Sequence, residues 1–78
     1  MVTFTKIDDW PGAMPGKYQI HAFADEKADV TAGMTIHDLP PGIVPQPGSK
    51  IVTADGEIAF LKSNGKWHWA GEEGDVDV

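Results

Sequence analysis

The side chains best suited to metal or acid–base chemistry are three histidines, His21, His37 and His68. They lie 16 and 31 residues apart, which matches no zinc-ligand pattern, and the chain has no cysteine to supply a thiolate. His37 is followed by Asp38, but neighbouring side chains on an extended strand point in opposite directions. The sequence therefore predicts no metal site and no bound cofactor.

Carboxylates and serines are the other side chains that could take part in catalysis or metal binding. A catalytic carboxylate pair needs a cleft, and a chain of 78 residues seldom builds one of ligand-pocket size. The acidic C-terminus lacks the glycine turn and the final glutamate of an EF-hand loop. Ser49 and Ser63 lie beside turns, outside any Gly-x-Ser-x-Gly nucleophile elbow. We therefore expect no catalytic residue and a protein that is not an enzyme.

Charge and hydropathy exclude further classes. The chain has twelve acidic residues, six lysines and no arginine, for a net charge of −6. A surface that repels phosphate and lacks arginine is a poor match for nucleic acid. The longest apolar run, Ile58–Leu61, is far shorter than the ~20 residues of a membrane-spanning helix. The N-terminus lacks a basic start followed by an apolar region, so we expect no signal peptide and no membrane partner.

Nine glycines and six prolines interrupt the chain so often that no long helix fits. We expect one small, mainly β domain over residues 1–78, built as an antiparallel sheet with little or no helix. Alternating apolar residues predict strands near 2–7 and 18–22. Residues 71–78, which are acidic and contain glycine, predict a flexible tail.

A C-terminal three-stranded meander is the strongest structural prediction. Asp55-Gly56 and Asn64-Gly65 are typical of two-residue type I′ hairpin turns, because both residue pairs tolerate positive φ. They divide the stretch into strands at about 50–54, 57–62 and 66–70. Two-residue turns place five residues on the core face: Ile51, Ile58, Phe60, Trp67 and Trp69. A three-residue second turn, 63–65, would instead move the tryptophans to the face of Ala59 and Leu61.

The aromatic residues are candidates for packing in the core or for contacting a partner. Trp67 and Trp69 would each bury about 150–250 Å² in a core, which favours a structural role over an exposed platform. Phe60 is expected beside them, and Trp10, among turns, is expected to stay partly exposed. Both faces of the meander carry apolar residues, which a small chain has difficulty covering, so self-association is predicted.

Residues 48–69, GSKIVTADGEIAFLKSNGKWHW, resemble a segment of short proteins encoded in the structural regions of tailed bacteriophages and prophages. The pattern is Gly-Ser, a strand ending in Thr-x-x-Gly, a strand of small and apolar residues, and Asn-Gly-x-Trp. The matching positions are Gly48, Ser49, Thr53, Gly56, Ala59, Leu61, Asn64, Gly65 and Trp67. The resemblance implies a virion component or assembly accessory protein, in the virion or host cytoplasm. Its implied partners are further copies of itself and a larger virion protein.

Two other functions stay open on sequence alone. Exposed tryptophans with nearby Asp and His side chains would suit a small carbohydrate-binding module. An acidic surface with carboxylates at phosphate-like spacing would suit a DNA mimic that inhibits a host enzyme.

Overall fold

The computed structural model describes residues 1–8 and 17–77, and within them the chain is mainly β, which confirms the predicted fold class. The only helical element of these residues is a single 3₁₀ turn at Lys27–Asp29. The strands are β1 (Val2–Ile7), β2 (Lys17–Tyr18), β3 (Ile20–Ala24), β4 (Ile36–His37), β5 (Val44–Pro45), β6 (Lys50–Thr53), β7 (Ile58–Leu61) and β8 (Trp67–Trp69).

Six strands form one sheet in the order β4-β1-β3-β6-β7-β8, and β2 pairs with β5 in a small second sheet. The pairs β1–β3, β6–β7 and β7–β8 are antiparallel, whereas β1–β4 and β3–β6 are parallel. The prediction of an antiparallel sheet was therefore wrong at two junctions. A parallel pair requires a long crossover, and residues 25–49 provide it between β3 and β6.

The first hairpin turns through three residues, Ala54 to Gly56, rather than through the predicted two. The Thr53 amide donates to the Glu57 carbonyl at 2.9 Å, and Gly56 takes a φ of 89°. This is the arrangement of a type I turn followed by a left-handed residue. The Thr53 hydroxyl donates to Asp55 at 2.6 Å and accepts from the Glu57 amide at 3.0 Å, and its hydrogen bond lowers the pKa of Asp55.

The second hairpin repeats this geometry. The Lys62 amide donates to the Lys66 carbonyl at 2.9 Å, the Gly65 amide donates to the Lys62 carbonyl at 3.0 Å, and Gly65 has a φ of 81°. The Asn64 side chain accepts from the Lys66 amide at 3.0 Å. The turn residues were identified correctly, but the type I′ assignment was wrong for both hairpins.

The longer turns change which side chains share a face. Trp67 lies opposite Leu61 and Trp69 lies opposite Ala59, as the three-residue alternative for the second turn predicted. Phe60 lies opposite Lys50 and His68. The prediction that Ile58 and Phe60 share the core face with the tryptophans was therefore wrong, because each added loop residue shifts the register by one and reverses the face.

Trp67 and Trp69 lie in the core, with 8% and 7% of their surface exposed. The core also contains Val2, Ala22, Ala24, Val30, Ile51 and Ala59. Val30 comes from the crossover and Val76, which packs on the same cluster, from the C-terminal segment. These two segments cover one side of the sheet.

Gly48 and Ser49 join the crossover to the sheet. Gly48 has a φ of 95°, in the left-handed region that favours glycine, and a Cβ there would also displace the end of the Gln19 side chain, 2.4 Å away. Ser49 is fully buried; its hydroxyl accepts from the Ile20 amide at 3.0 Å and donates to the Gln46 carbonyl at 2.7 Å. These two motif residues are therefore explained by the demands of the fold.

The C-terminal segment, predicted to be a flexible tail, folds back along β8 as far as Asp77. The Val76 amide donates to the Trp67 carbonyl at 2.8 Å, and the Glu72 amide donates to the Trp69 carbonyl at 3.2 Å. Asp77 accepts from Lys66 at 3.1 Å. The segment thus makes more contacts than its composition indicated.

Candidate functional site

The side of the six-stranded sheet that points away from the core, called the outer face below, is the candidate interaction surface. Strand alternation brings nine residues to it from five neighbouring strands. They are Thr3, Lys6, His21, Phe23, Lys50, Val52, Ile58, Phe60 and His68. The register arranges them in two rows that cross the strands.

The first row is apolar. Thr3 lies opposite Phe23, Phe23 opposite Val52, and Val52 opposite Ile58, on successive strands. Phe23 is 38% exposed and Ile58 37% exposed, and Val52 and Phe60 are half-buried. Large apolar side chains at neighbouring positions form a continuous patch, which is typical of a surface that binds another protein.

The second row is basic and aromatic. Lys6 lies opposite His21, His21 opposite Lys50, and Lys50 opposite Phe60, which faces His68. His21 Nε2 lies 3.1 Å from Oδ2 of Asp8. The outer face therefore places cations directly beside its apolar row, although the whole chain is acidic.

Asp75 fixes the C-terminal segment to one end of this face. Its carboxylate accepts from Lys62 at 2.9 Å and from the Asn64 side chain at 3.0 Å, and Nδ1 of His68 lies 3.2 Å away. The side chain is only 17% exposed. The hydrogen bonds from Lys62 and Asn64 lower the pKa of Asp75 from 3.8 to about 2.

Acid should therefore release the C-terminal segment. A carboxylate whose pKa is lower in the folded state stabilises that state fully above its ordinary pKa of 3.8, and the stabilisation is lost as the pH falls towards about 2. Between pH 4 and pH 2 we expect the Val76 amide to lose protection from hydrogen exchange. NMR-detected exchange measures this directly.

Matched variants separate this contact from general acid unfolding. Asp75→Asn is expected to lose Val76 protection at neutral pH and to lack the acid-dependent step. Asp77→Asn, at a position whose side chain is 70% exposed, is expected to behave like the unmodified chain. An Asp75→Asn chain with full protection of Val76 at pH 7 would contradict the role of Asp75.

A groove lies on the opposite side of the molecule, between the 3₁₀ turn and the C-terminal segment. It measures about 730 Å³ and is lined by Lys27, Val30, Trp69, Glu72 and Glu73, among others. Lys27 Nζ lies 5.0 Å from the centre of the Trp69 ring, a cation–π distance, and contacts Glu57 and Glu72. The hydrogen bond from Lys27 to Glu72 raises the pKa of this lysine.

The predicted aromatic residues do not form a common site. Trp67 and Trp69 are buried, and Phe60 lies on the outer face. Trp10 lies outside the described residues. Asp55, Gly56, Asn64 and Gly65 all lie in the two hairpin turns, as predicted.

Within residues 1–8 and 17–77, no three His, Asp or Glu side chains group closely enough to hold a metal ion. Over the same residues, no helix has the length and apolar character needed to cross a membrane. Comparisons with protein-family models, curated proteins and solved structures gave no match. The functional information therefore lies in the surface itself.

The sequence did not predict that Phe23, Val52 and Ile58 form one patch. The predicted strand near 18–22 ended before Phe23, whereas β3 continues to Ala24 and places Phe23 between the buried Ala22 and Ala24. The parallel pairing of β3 with β6 was not predicted either, because no short turn joins these strands. Without that pairing, the residues lie too far apart in the chain to be grouped.

Proposed function

We propose that this protein is a non-enzymatic structural or assembly accessory protein of a phage-like virion, acting through protein–protein contacts. The observation that carries the proposal is the outer face, where Phe23 and Ile58 are exposed beside Val52 and Phe60. Its partners would be further copies of the chain or a larger virion protein, in the virion or host cytoplasm. The phage assignment rests on the resemblance of residues 48–69.

The composition of the outer face suits a protein partner better than a small ligand. Two phenylalanines and two aliphatic residues supply apolar area, which contributes about 25 cal/mol per Å² when removed from water. Lys6 and Lys50 lie beside them at exposed positions, as polar groups surround the apolar centre of many interfaces.

The two alternative functions receive less support. A carbohydrate platform needs an open ring, and Trp67 and Trp69 are 8% and 7% exposed. A DNA mimic needs unpaired carboxylates, but Glu72, Asp75 and Asp77 each contact a lysine of the same chain. These ion pairs reduce the negative field that a DNA-binding enzyme would recognise.

Single-cysteine labelling tests the proposal, since the natural chain has no cysteine. Ile58→Cys puts a thiol on the outer face, and Ser63→Cys puts one on an exposed hairpin loop as the matched control. In the isolated chain, both thiols should react with a maleimide at similar rates. In purified phage-like particles from the native host, Ile58→Cys should react at least about tenfold more slowly, because a partner covers it.

Two results from the same particle preparation would contradict the proposed function. If mass spectrometry finds the expressed chain in the cell but not in the particles, the virion assignment fails. If the chain is in the particles and both thiols react as fast as in the isolated chain, the outer face is not the contact surface.

A further inference from the structure

The charges of this chain are divided between its two sides. The side opposite the outer face, called the back face below, consists of residues 25–29 and 72–73 with the adjoining Glu57. It carries two cations, Lys27 and the N-terminal ammonium of Met1, and six carboxylates: Asp25, Glu26, Asp29, Glu57, Glu72 and Glu73. Asp25 lies 3.5 Å from the ammonium but keeps 64% of its side chain exposed, and among the described residues Glu73 takes part in no ion pair.

The outer face has the opposite character. Lys6 and Lys50 belong to it, and Lys62 and Lys66 lie beside it at the base of the second hairpin. Lys62 and Lys66 are paired with aspartates of the C-terminal segment. Among the described residues, neither Lys6 nor Lys50 takes part in an ion pair, so both are free to meet a partner's carboxylates.

We propose that the outer face of one copy binds the back face of the next, so that the chain assembles head to tail. This inference rests on the proposed function and names the partner as a second copy. Lys6 and Lys50 would lie against Asp25 and Glu73, and the apolar row would cover the groove beside Trp69.

Charge complementarity selects this arrangement over a symmetric one. Two outer faces packed together would oppose their lysines, and like charges facing each other across an interface disfavour binding. A face-to-back contact joins two different surfaces, so each copy keeps one of each surface for another neighbour. Such contacts generate rings or open filaments instead of closed dimers.

The size of the molecule bounds the contact. Its two longest principal extents, 31 Å and 23 Å, enclose a projected area of about 700 Å², so a contact over a whole face would approach the ~800 Å² per partner of a standard stable interface. With charged pairs and a modest apolar row, association should rise with concentration and weaken with salt.

Charge reversal on each face tests the proposal. The outer variant is Lys6→Glu with Lys50→Glu, and the back variant is Asp25→Lys with Glu73→Lys. Sedimentation velocity should show the natural chain growing beyond a dimer as its concentration rises, and less so in 0.5 M salt. Each variant alone should self-associate at least about tenfold more weakly.

Mixing the two charge-reversal variants tests whether the outer face of one copy contacts the back face of another. A mixture of the two variants should associate again, because every contact between them joins opposite charges. A chain with all four substitutions should also associate with itself, since both of its faces are reversed. Near-ultraviolet circular dichroism of each chain verifies that the fold is retained.

Three outcomes would overturn the proposal: a natural chain that stays monomeric at millimolar concentration, a back variant that associates as well as the natural chain, or a four-substitution chain that does not associate. None of them affects the proposed function. A monomeric chain whose Ile58→Cys thiol is protected in particles would dock on a different protein.

Discussion

Replacing Trp67 with alanine is expected to lower the free energy of unfolding by about 3–5 kcal/mol. The side chain is 8% exposed, and it lies in the cluster that joins the sheet to its covering segments. Its removal leaves a cavity in this cluster, which also contains the small residues Ala22, Ala24 and Ala59. Because a native domain has only about 5–15 kcal/mol of stability, this loss is a large fraction of the total and should move the urea midpoint to a much lower concentration. Urea unfolding followed by far-ultraviolet circular dichroism measures the change.

Phe60→Ala is the matched control, because Phe60 is an aromatic residue of the same hairpin on the opposite side of the sheet. Half-buried and without a covering layer from the described residues, it should contribute about 1 kcal/mol or less. Equal losses from Trp67→Ala and Phe60→Ala would mean that both sides of the sheet are equally buried in solution. That result would contradict the outer face as an open surface.

Ser49→Ala is expected to cost about 2–3 kcal/mol, more than the loss of one ordinary hydrogen bond. The Ser49 hydroxyl is the partner of the Ile20 amide at 3.0 Å, and both residues are fully buried. Alanine would leave that amide without an acceptor and without access to water, and the desolvation of the amide would no longer be compensated. Thermal unfolding should show a lower midpoint, and the Ile20 amide should exchange faster.

Ser63→Ala serves as its control, since Ser63 is exposed in the second hairpin loop. We expect a change of less than about 0.5 kcal/mol there. A Ser49→Ala chain as stable as the Ser63→Ala chain would mean that the Ile20 amide finds another acceptor. It would remove the structural explanation for the Gly-Ser pair at 48–49.

Short-range signals in the sequence predicted the C-terminal part of the fold well. Asp55-Gly56 and Asn64-Gly65 located both hairpins, because few other residue pairs reverse a chain so readily. They did not determine the loop length, since glycine with positive φ fits both a two-residue turn and the third position of a longer one. One residue of difference moved Phe60 from the predicted core to the outer face.

The pairing of strands that are distant in the chain could not be predicted from the sequence. β3 and β6 lie side by side in parallel, yet 25 residues separate Ala24 from Lys50 and no local pattern indicates that they meet. The candidate surface depends on this junction, because it brings Phe23 beside Val52 and His21 beside Lys50. Except for Phe23, the residues of the surface could therefore be read as strand residues, but their grouping required the structure.

The hydrogen bond from Val76 to Trp67 has a consequence for solubility. β8 ends the sheet, and a terminal strand with unsatisfied main-chain groups is a template for another chain and a starting point for aggregation. The C-terminal segment satisfies the carbonyls of Trp67 and Trp69 with its own amides, and its carboxylates repel acidic neighbours that approach from that side. The acidic C-terminal segment thus protects this edge of the sheet against uncontrolled strand addition.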